Sequence, residues 1–155
     1  MPARKPKTKP PAHTRIFLVD DHALLRRGLA ALIQTEPDLE VCAEADTHRA
    51  GLDAIAAAKP DLVITELQLA DRDGLELIRA IRRRYPHLPV LALSMHEAAT
   101  HAGRALRAGA RGYVSKQELD DTVLTVIRRL LARGDSSSEA VSRQFTPQFQ
   151  EDNIA

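Results

Sequence analysis

Five polar residues directly follow short apolar runs, and their types suit phosphoryl and metal chemistry. They are Asp20, Asp21, Glu66, Ser94 and Lys116. Carboxylates packed together repel one another unless a cation joins them, and oxygen ligands with room for water suit Mg²⁺. A hydroxyl and an ammonium group are the partners that phosphoryl oxygens need. If the fold brings the five together, they form a metal-dependent pocket that accepts or senses a phosphoryl group.

Each of these residues also has a simpler interpretation when it is taken alone. Asp20 and Asp21 could cap the helix that follows them. Lys116 could be a surface lysine, and Ser94 a hydroxyl at the start of a helix. Glu66 is harder to dismiss, because burying a carboxylate without a partner is costly. The coincidence of all five at strand ends favours a shared pocket.

The apolar runs before these residues are predicted strands. Continuous apolar runs bounded by polar residues indicate strands buried on both faces of a parallel sheet. We predict such strands at Ile16–Val19, Leu62–Thr65, Val90–Leu93 and Tyr113–Ser115. A fifth run alternates instead, with apolar Leu39, Val41, Ala43 and Ala45 on one face. Alternation indicates one wetter face, so this strand is predicted at a sheet edge.

Helical patterns alternate with the strands. Apolar spacing, caps and Gly or Pro stops predict helices at Ala23–Ile33, His48–Ala58, Gly74–Tyr85, Ala98–Ala108 and Leu119–Ala132. Thr47 and Asp73 are the expected N-caps of the second and third helices. Five βα units predict an α/β, flavodoxin-like, doubly wound five-stranded parallel sheet of order 2-1-3-4-5. Two helices should cover one face and three the other.

Composition excludes several classes of protein. The chain has 155 residues, of which 44% are hydrophobic and 3% aromatic, which suits one domain with an aliphatic core. A single cysteine, Cys42, excludes a disulfide framework and a multi-cysteine metal site. No apolar run approaches the roughly 18 residues of a membrane helix, and we expect a cytoplasmic protein. The net charge of +1 gives no overall case for nucleic-acid binding.

The two ends of the chain differ in composition from its body. Residues 1–14 hold four basic side chains and four prolines, which predict a disordered leader. Residues 134–155 are polar and predict a linker or tail, so we expect the sequence to be part of a longer protein. The domain itself is predicted to span residues 15–133.

Three segments closely resemble the receiver domain of two-component response regulators. They are Ile16-Phe17-Leu18-Val19-Asp20-Asp21-His22, Ala92-Leu93-Ser94-Met95-His96 and Arg107-Ala108-Gly109-Ala110-Arg111-Gly112-Tyr113-Val114-Ser115-Lys116. The resemblance covers residues 15 to about 132. It points to the nitrate-regulator-like branch, whose members usually carry a C-terminal helix-turn-helix.

This resemblance implies a role for each residue of the pocket. Mg²⁺, which we expect to bind weakly, would have as its ligands Asp20, Asp21, Glu66 and the backbone carbonyl of Gln68. The phosphoryl group would contact Ser94 and Lys116, and Tyr113 would be the aromatic switch residue beside Ser94. A sensor histidine kinase is the implied partner, and DNA would be bound only by an output domain absent from this chain.

The central position departs from the family's pattern. Members carry Asp where this chain has Glu66, and Ala70 replaces the usual Pro four residues later. Asp73 is interpreted as a helix cap and not as a substitute acceptor. We expect Glu66 to contact Lys116, which makes the receiver atypical or phosphomimetic. A pure interaction or dimerisation module without phosphoryl chemistry is the alternative.

Two other classes of protein, a phosphatase and a flavin carrier, fit the sequence less well. A phosphatase of this type would need an Asp two residues after its nucleophile, where His22 stands. A flavin carrier would need a phosphate-binding loop and stacking aromatics, and this chain has neither Trp nor a Gly-rich first loop. We therefore expect no enzyme.

Association is predicted through the first and last helices. Leu124 and Leu131 lie off the core stripe of the last helix, and Leu24 and Gly28 flank that of the first. Surplus apolar surface of this kind predicts a weak homodimer, with a rearranged core contact as the alternative.

Overall fold

Strands and helices alternate along the chain in the computed structural model, which describes residues 13–95 and 98–132. The strands are β1 (Thr14–Val19), β2 (Leu39–Ala45), β3 (Leu62–Glu66), β4 (Val90–Ser94) and β5 (Gly112–Ser115). The helices are α1 (Ala23–Gln34), α2 (His48–Ala58), α3 (Gly74–Arg84), α4 (Ala98–Ala108) and α5 (Asp121–Ala132). A 3₁₀ helix at Lys116–Glu118 precedes α5.

The sheet is fully parallel and has the order β2-β1-β3-β4-β5, as predicted. β1 and β3 are neighbours although β2 lies between them in sequence, so the strand order reverses at this point. Val19 pairs with Thr65, and Ser94 pairs with Ser115. Because all the strands point the same way, their polar C-terminal residues meet at one edge of the sheet.

Two apolar cores lie on the two faces of the sheet, and both are mainly aliphatic. The α1–α5 core joins two helices to the sheet and includes Leu18, Leu29, Ile33, Ile64, Leu93, Val123 and Ile127. The α2–α4 core joins three helices to the other face and includes Phe17, Ile55, Val63, Leu77, Ile81, Ala92 and Ala105. The predicted division of two helices and three is confirmed.

β2 lies at the sheet edge as predicted, but its faces are not those that the alternation predicted. The register shifts between Ile16 and Phe17 of β1, because Cys42 of β2 is bulged out. An extra residue in one strand reverses the faces of all that follow. Leu39 and Val41 therefore pack with the α1–α5 core, and Ala43 and Ala45 with the α2–α4 core.

The last helix differs from its prediction in two ways. It begins at Asp121 and not at Leu119, because the side chain of Asp120 caps it by accepting a hydrogen bond from the Thr122 N–H at 2.9 Å. Leu124 is only 8% exposed and packs in the α1–α5 core, with Leu131 partly buried against it. The predicted surplus apolar surface on α5 is therefore wrong.

The predicted basic leader at residues 1–14 and the polar tail at 134–155 lie outside the described residues, except for positions 13 and 14. Among the helices that the structure describes, none has the length and apolar character needed to cross a membrane.

Gly74 begins α3 at a close approach to the end of β3. A Cβ atom there would lie 2.2 Å from the backbone oxygen of Glu66 and 2.8 Å from Cα of Leu67. Because both neighbours are backbone, the substitution Gly74→Ala should lower the free energy of unfolding by roughly 1–3 kcal/mol. Urea denaturation measures the change.

Gly28→Ala is the matched control, since Gly28 is exposed within α1 and a Cβ there meets nothing within 4 Å. It should raise the free energy of unfolding by about 0.5–1 kcal/mol through helix propensity. Equal effects of the two substitutions would contradict the close approach at Gly74.

Candidate functional site

The side chain of Lys116 is fully buried between two carboxylates at the C-terminal edge of the sheet. Its Nζ atom lies 2.7 Å from Oδ2 of Asp20 and forms a second, closer ion pair with Oε2 of Glu66. The predicted contact between Glu66 and Lys116 is therefore present, and Asp20 is a partner that was not predicted for it. Three side chains from three strand ends thus form one buried charge cluster.

Local structure at the end of β5 carries Lys116 into this position. Ser115 is the N-cap of the 3₁₀ helix, and its Oγ accepts a hydrogen bond from the Gln117 N–H at 3.3 Å. The chain turns here, and Lys116 occupies the first position of the turn. A buried ammonium group needs nearby negative charge, which Asp20 and Glu66 supply.

The carboxylate of Glu66 is held from two sides. Its Oε1 atom accepts a hydrogen bond from the backbone N–H of Gln68 at 2.9 Å. Its Oε2 atom is buried and forms a close ion pair with Lys116, without the geometry of an aligned hydrogen bond. Gln68 therefore contacts Glu66 through its N–H, while the metal-binding role of its carbonyl remains a prediction.

The loop after β3 is fixed by the residue that was predicted to cap α3. Asp73 accepts a hydrogen bond from the Leu75 N–H at 2.9 Å, which confirms its interpretation as an N-cap. Asp73 also forms an isolated backbone bridge with Gln68. The short loop that follows Glu66 is thus closed on itself.

His22 belongs to the site although the sequence analysis did not assign it a role there. Its backbone N–H donates to Oδ1 of Asp20 at 2.8 Å, and its Nδ1 lies 3.1 Å from the same oxygen. Nδ1 also lies 3.3 Å from Oδ1 of Asp21 and 3.1 Å from Nζ of Lys116. One ring nitrogen cannot donate to an acid and accept from an ammonium group at once, so the acids and Lys116 compete for it.

Part of this cluster fits a divalent cation. Ligand atoms of Asp20, Asp21 and His22 all lie within 4.8 Å of one another. The Oδ1 atom of Asp21 is buried and has no hydrogen-bond partner among the described residues, which is the state of an oxygen that a metal ion would satisfy. Asp20 and Asp21 therefore suit Mg²⁺, while Lys116 neutralises the side of the cluster that faces Glu66.

Ser94 and Tyr113 meet on the neighbouring strands β4 and β5. Both are buried, and their side chains are joined by a hydrogen bond. Burial raises the pKa of the Tyr113 hydroxyl; the bond to Ser94 opposes this shift, and the charge of Glu66 adds to it. The structure thus brings together the two residues that were predicted to form a switch.

Residues 16–128 of this chain match the model of a protein family described as "Response regulator receiver domain". The chain therefore belongs to the response-regulator receiver family. Receiver domains of this family are signalling switches that interact with histidine kinases, form dimers and bind Mg²⁺ at an acidic pocket.

Individual relatives agree with this membership. The chain is 38% identical over 102 residues to the DNA-binding transcriptional activator DevR/DosR of Mycobacterium tuberculosis, covering 66% of this chain and 47% of that protein. It is 31% identical over 119 residues to the transcriptional regulatory protein UhpA of Escherichia coli, covering 77% of this chain and 59% of that protein. The chain thus spans about half the length of the curated relatives that it matches.

Solved structures give the same result. A two-component response regulator of the LuxR family from Aurantimonas sp. SI85-9A1 is 32% identical with a TM-score of 0.75, covering 85% of this chain and 94% of that one. The signal receiver domain of the response regulator NarL from Mycobacterium tuberculosis is 29% identical with a TM-score of 0.68. The match covers 76% of this chain and 98% of that one.

The substitution Lys116→Met tests the buried charge cluster. It would leave two buried carboxylates without their cation, and we expect the free energy of unfolding to fall by roughly 3–5 kcal/mol. Urea denaturation of the purified chain gives this value. In a Glu66→Gln background the same substitution should cost at least about 1 kcal/mol less, because one of the two charges is already gone.

Arg49→Met is the matched control. The Arg49 side chain pairs with Asp53 at 3.9 Å on the exposed face of α2. Loss of an exposed pair should change the free energy of unfolding by no more than about 0.5 kcal/mol. If Lys116→Met were equally mild, Lys116 would not be the buried counter-ion described here.

Proposed function

We propose that this receiver domain takes no stable phosphoryl group, and that Glu66 partly substitutes for the phosphorylated state. The observation that carries the proposal is the buried ion pair between Glu66 and Lys116. The resemblance to receiver domains implies that Lys116 contacts the phosphoryl group. Here the protein's own carboxylate already engages the ammonium group that a phosphoryl oxygen would need.

The extra methylene of Glu66 supports this proposal, because glutamate and aspartate differ mainly in reach. The carboxylate stands about 1.5 Å further from the backbone than that of an Asp. Phosphoryl transfer depends on an in-line approach of the nucleophile to phosphorus, with the metal in place. A displacement of about 1 Å can cost on the order of 100-fold in rate. Glu66 is therefore a poor acceptor.

The charge of Glu66 limits how far the imitation goes. A carboxylate brings one negative charge, whereas a phosphoryl group brings nearly two. Glu66 can bind Lys116, but it offers fewer oxygens to Ser94. The buried hydrogen bond between Ser94 and Tyr113 is compatible with a switch held in one position. We therefore propose a partial and constitutive signal.

The wider setting is proposed from the relatives. Because UhpA and DevR/DosR are named as transcriptional regulators, we propose that this receiver controls transcription in the cytoplasm through an output domain. A weak homodimer through α1 and α5 remains our proposal. Its apolar contribution would come from α1, where Leu24 is 86% exposed, since α5 has buried Leu124.

Incubation with acetyl phosphate and Mg²⁺, followed by intact-mass measurement, tests the proposal. We expect no added phosphoryl group on the chain, because Glu66 is displaced and already paired. Glu66→Asp should restore the reach of an ordinary acceptor and gain one phosphoryl group. Stoichiometric labelling at Glu66 itself would refute the proposal. An inert Glu66→Asp variant would favour the alternative of an interaction module that has lost phosphoryl chemistry altogether.

Competition between Lys116 and Mg²⁺ gives a second test. Mg²⁺ should bind weakly through Asp20 and Asp21 and shift the amide resonances of residues 20 to 22. In a folded Lys116→Met variant the affinity should rise, because the ammonium group no longer neutralises Asp20. Isothermal titration compares the two proteins, with Arg49→Met as the control. Unchanged affinity in Lys116→Met would show that the two cations do not compete.

A further inference from the structure

A basic groove lies between α2 and α3, on the sheet face opposite α1 and α5. Its volume is about 310 Å³. The residues that line it are His48, Leu52, Arg72, Glu76, Arg79, Ala80, Arg83 and Arg84. Four arginines against one glutamate leave the groove strongly positive, whereas the chain as a whole has a net charge of only +1. The charge is therefore local to this groove.

Helix formation explains only part of this charge. Cations are favoured in the last turn of a helix, which accounts for Arg83 and Arg84 at the end of α3. Arg72 precedes the helix, and Arg79 lies in its middle, so neither gains from the dipole. All four arginine side chains are exposed, and none forms an ion pair with a carboxylate of the described residues. Like charges gathered without neutralisation repel one another unless an anion joins them.

His48 provides a second and independent feature of the same groove. It is 6% exposed, and its Nδ1 atom has no hydrogen-bond partner among the described residues. Burial of an unsatisfied ring nitrogen carries a free-energy cost that is unusual in proteins. In the tautomer that carries its proton on Nδ1, this nitrogen offers a hydrogen bond that an anion in the groove could accept.

The end of the groove next to His48 is held by hydrogen bonds to Asp71. Asp71 accepts hydrogen bonds from the backbone N–H groups of His48 at 2.9 Å and Arg49 at 3.3 Å. The bond from His48 is the main cause that lowers the pKa of Asp71, and the bond from Arg49 adds to it, so Asp71 remains ionised. The two bonds tie the loop that carries Arg72 to the start of α2. A ligand would thus meet a site that needs little rearrangement.

We propose that this groove binds a small molecule bearing a diphosphate group. Guanidinium groups form paired hydrogen bonds with phosphate oxygens, and several arginines within one short groove suit more than one phosphate. The volume is at the lower end of the range of small-molecule sites and leaves little room for a polypeptide or a nucleic acid. The lining holds no Phe, Tyr or Trp side chain for stacking a base, and the ring of His48 is buried, so recognition rests on the diphosphate.

Titration of the 155-residue chain with inorganic diphosphate, followed by amide NMR, tests the proposal. We expect shifts to concentrate at His48, Arg72, Arg79 and Arg83. The double substitution Arg79→Ala and Arg83→Ala should weaken binding at least about tenfold. Arg27→Ala removes an exposed arginine of α1 on the other face of the sheet, and it should leave the affinity within about twofold.

Parallel titrations distinguish the sources of the ligand. Adenosine diphosphate that binds like inorganic diphosphate would identify the diphosphate as the recognised group. No saturable shift at millimolar diphosphate, or an equal loss in Arg27→Ala, would overturn the proposal. A glutamate-rich peptide or a DNA duplex that binds the groove more tightly than diphosphate would overturn it as well, in favour of a macromolecular partner.

Discussion

The ammonium group of Lys116, buried between Asp20 and Glu66, is the interaction on which the arrangement of the site depends. Each of the three residues stands at or just after the end of a different strand, β5, β1 and β3. Removing two carboxylates and an ammonium group from water is costly. The attraction of both acids to Lys116 offsets that cost, together with the backbone N–H groups of His22 and Gln68 that donate to them. Loss of Lys116 would leave two buried carboxylates without their shared cation. The three strand ends are consequently coupled, and the chemistry of the pocket is inseparable from the packing of the sheet.

Sequence patterns were sufficient to locate the pocket, because a parallel sheet brings all its C-terminal strand ends to one edge. Polar residues at the ends of apolar runs therefore marked the site, and the greater reach of Glu66 predicted its contact with Lys116. The double role of Lys116 could not be predicted, since it depends on side-chain positions in the folded cluster. His22 was overlooked, although a histidine directly after two aspartates was a signal that could have been used.

The errors in the predicted fold have local physical causes. A bulge at Cys42 reversed the faces of β2, and nothing in the alternation of apolar residues reveals where an extra residue is inserted. Capping by Asp120 delayed the start of α5. Leu124 packs in the α1–α5 core, whereas a projection of α5 alone places it off the core stripe. The basic groove depends on how α2 and α3 pack together. Its arginines are separated in sequence from His48, so no local pattern could have joined them.

The proposed function requires that Glu66 occupy Lys116 in place of a phosphoryl group, so that the receiver signals without a kinase. A crystal structure of the chain grown with Mg²⁺ and beryllofluoride, a phosphoryl analogue, tests this at the Glu66 carboxylate and the Lys116 ammonium group. We predict that Lys116 remains paired with Glu66 and Asp20, and that no beryllofluoride is bound to the Glu66 carboxylate. A beryllofluoride adduct on Glu66, with Lys116 turned from the carboxylate to its fluorine atoms, would contradict the proposed function.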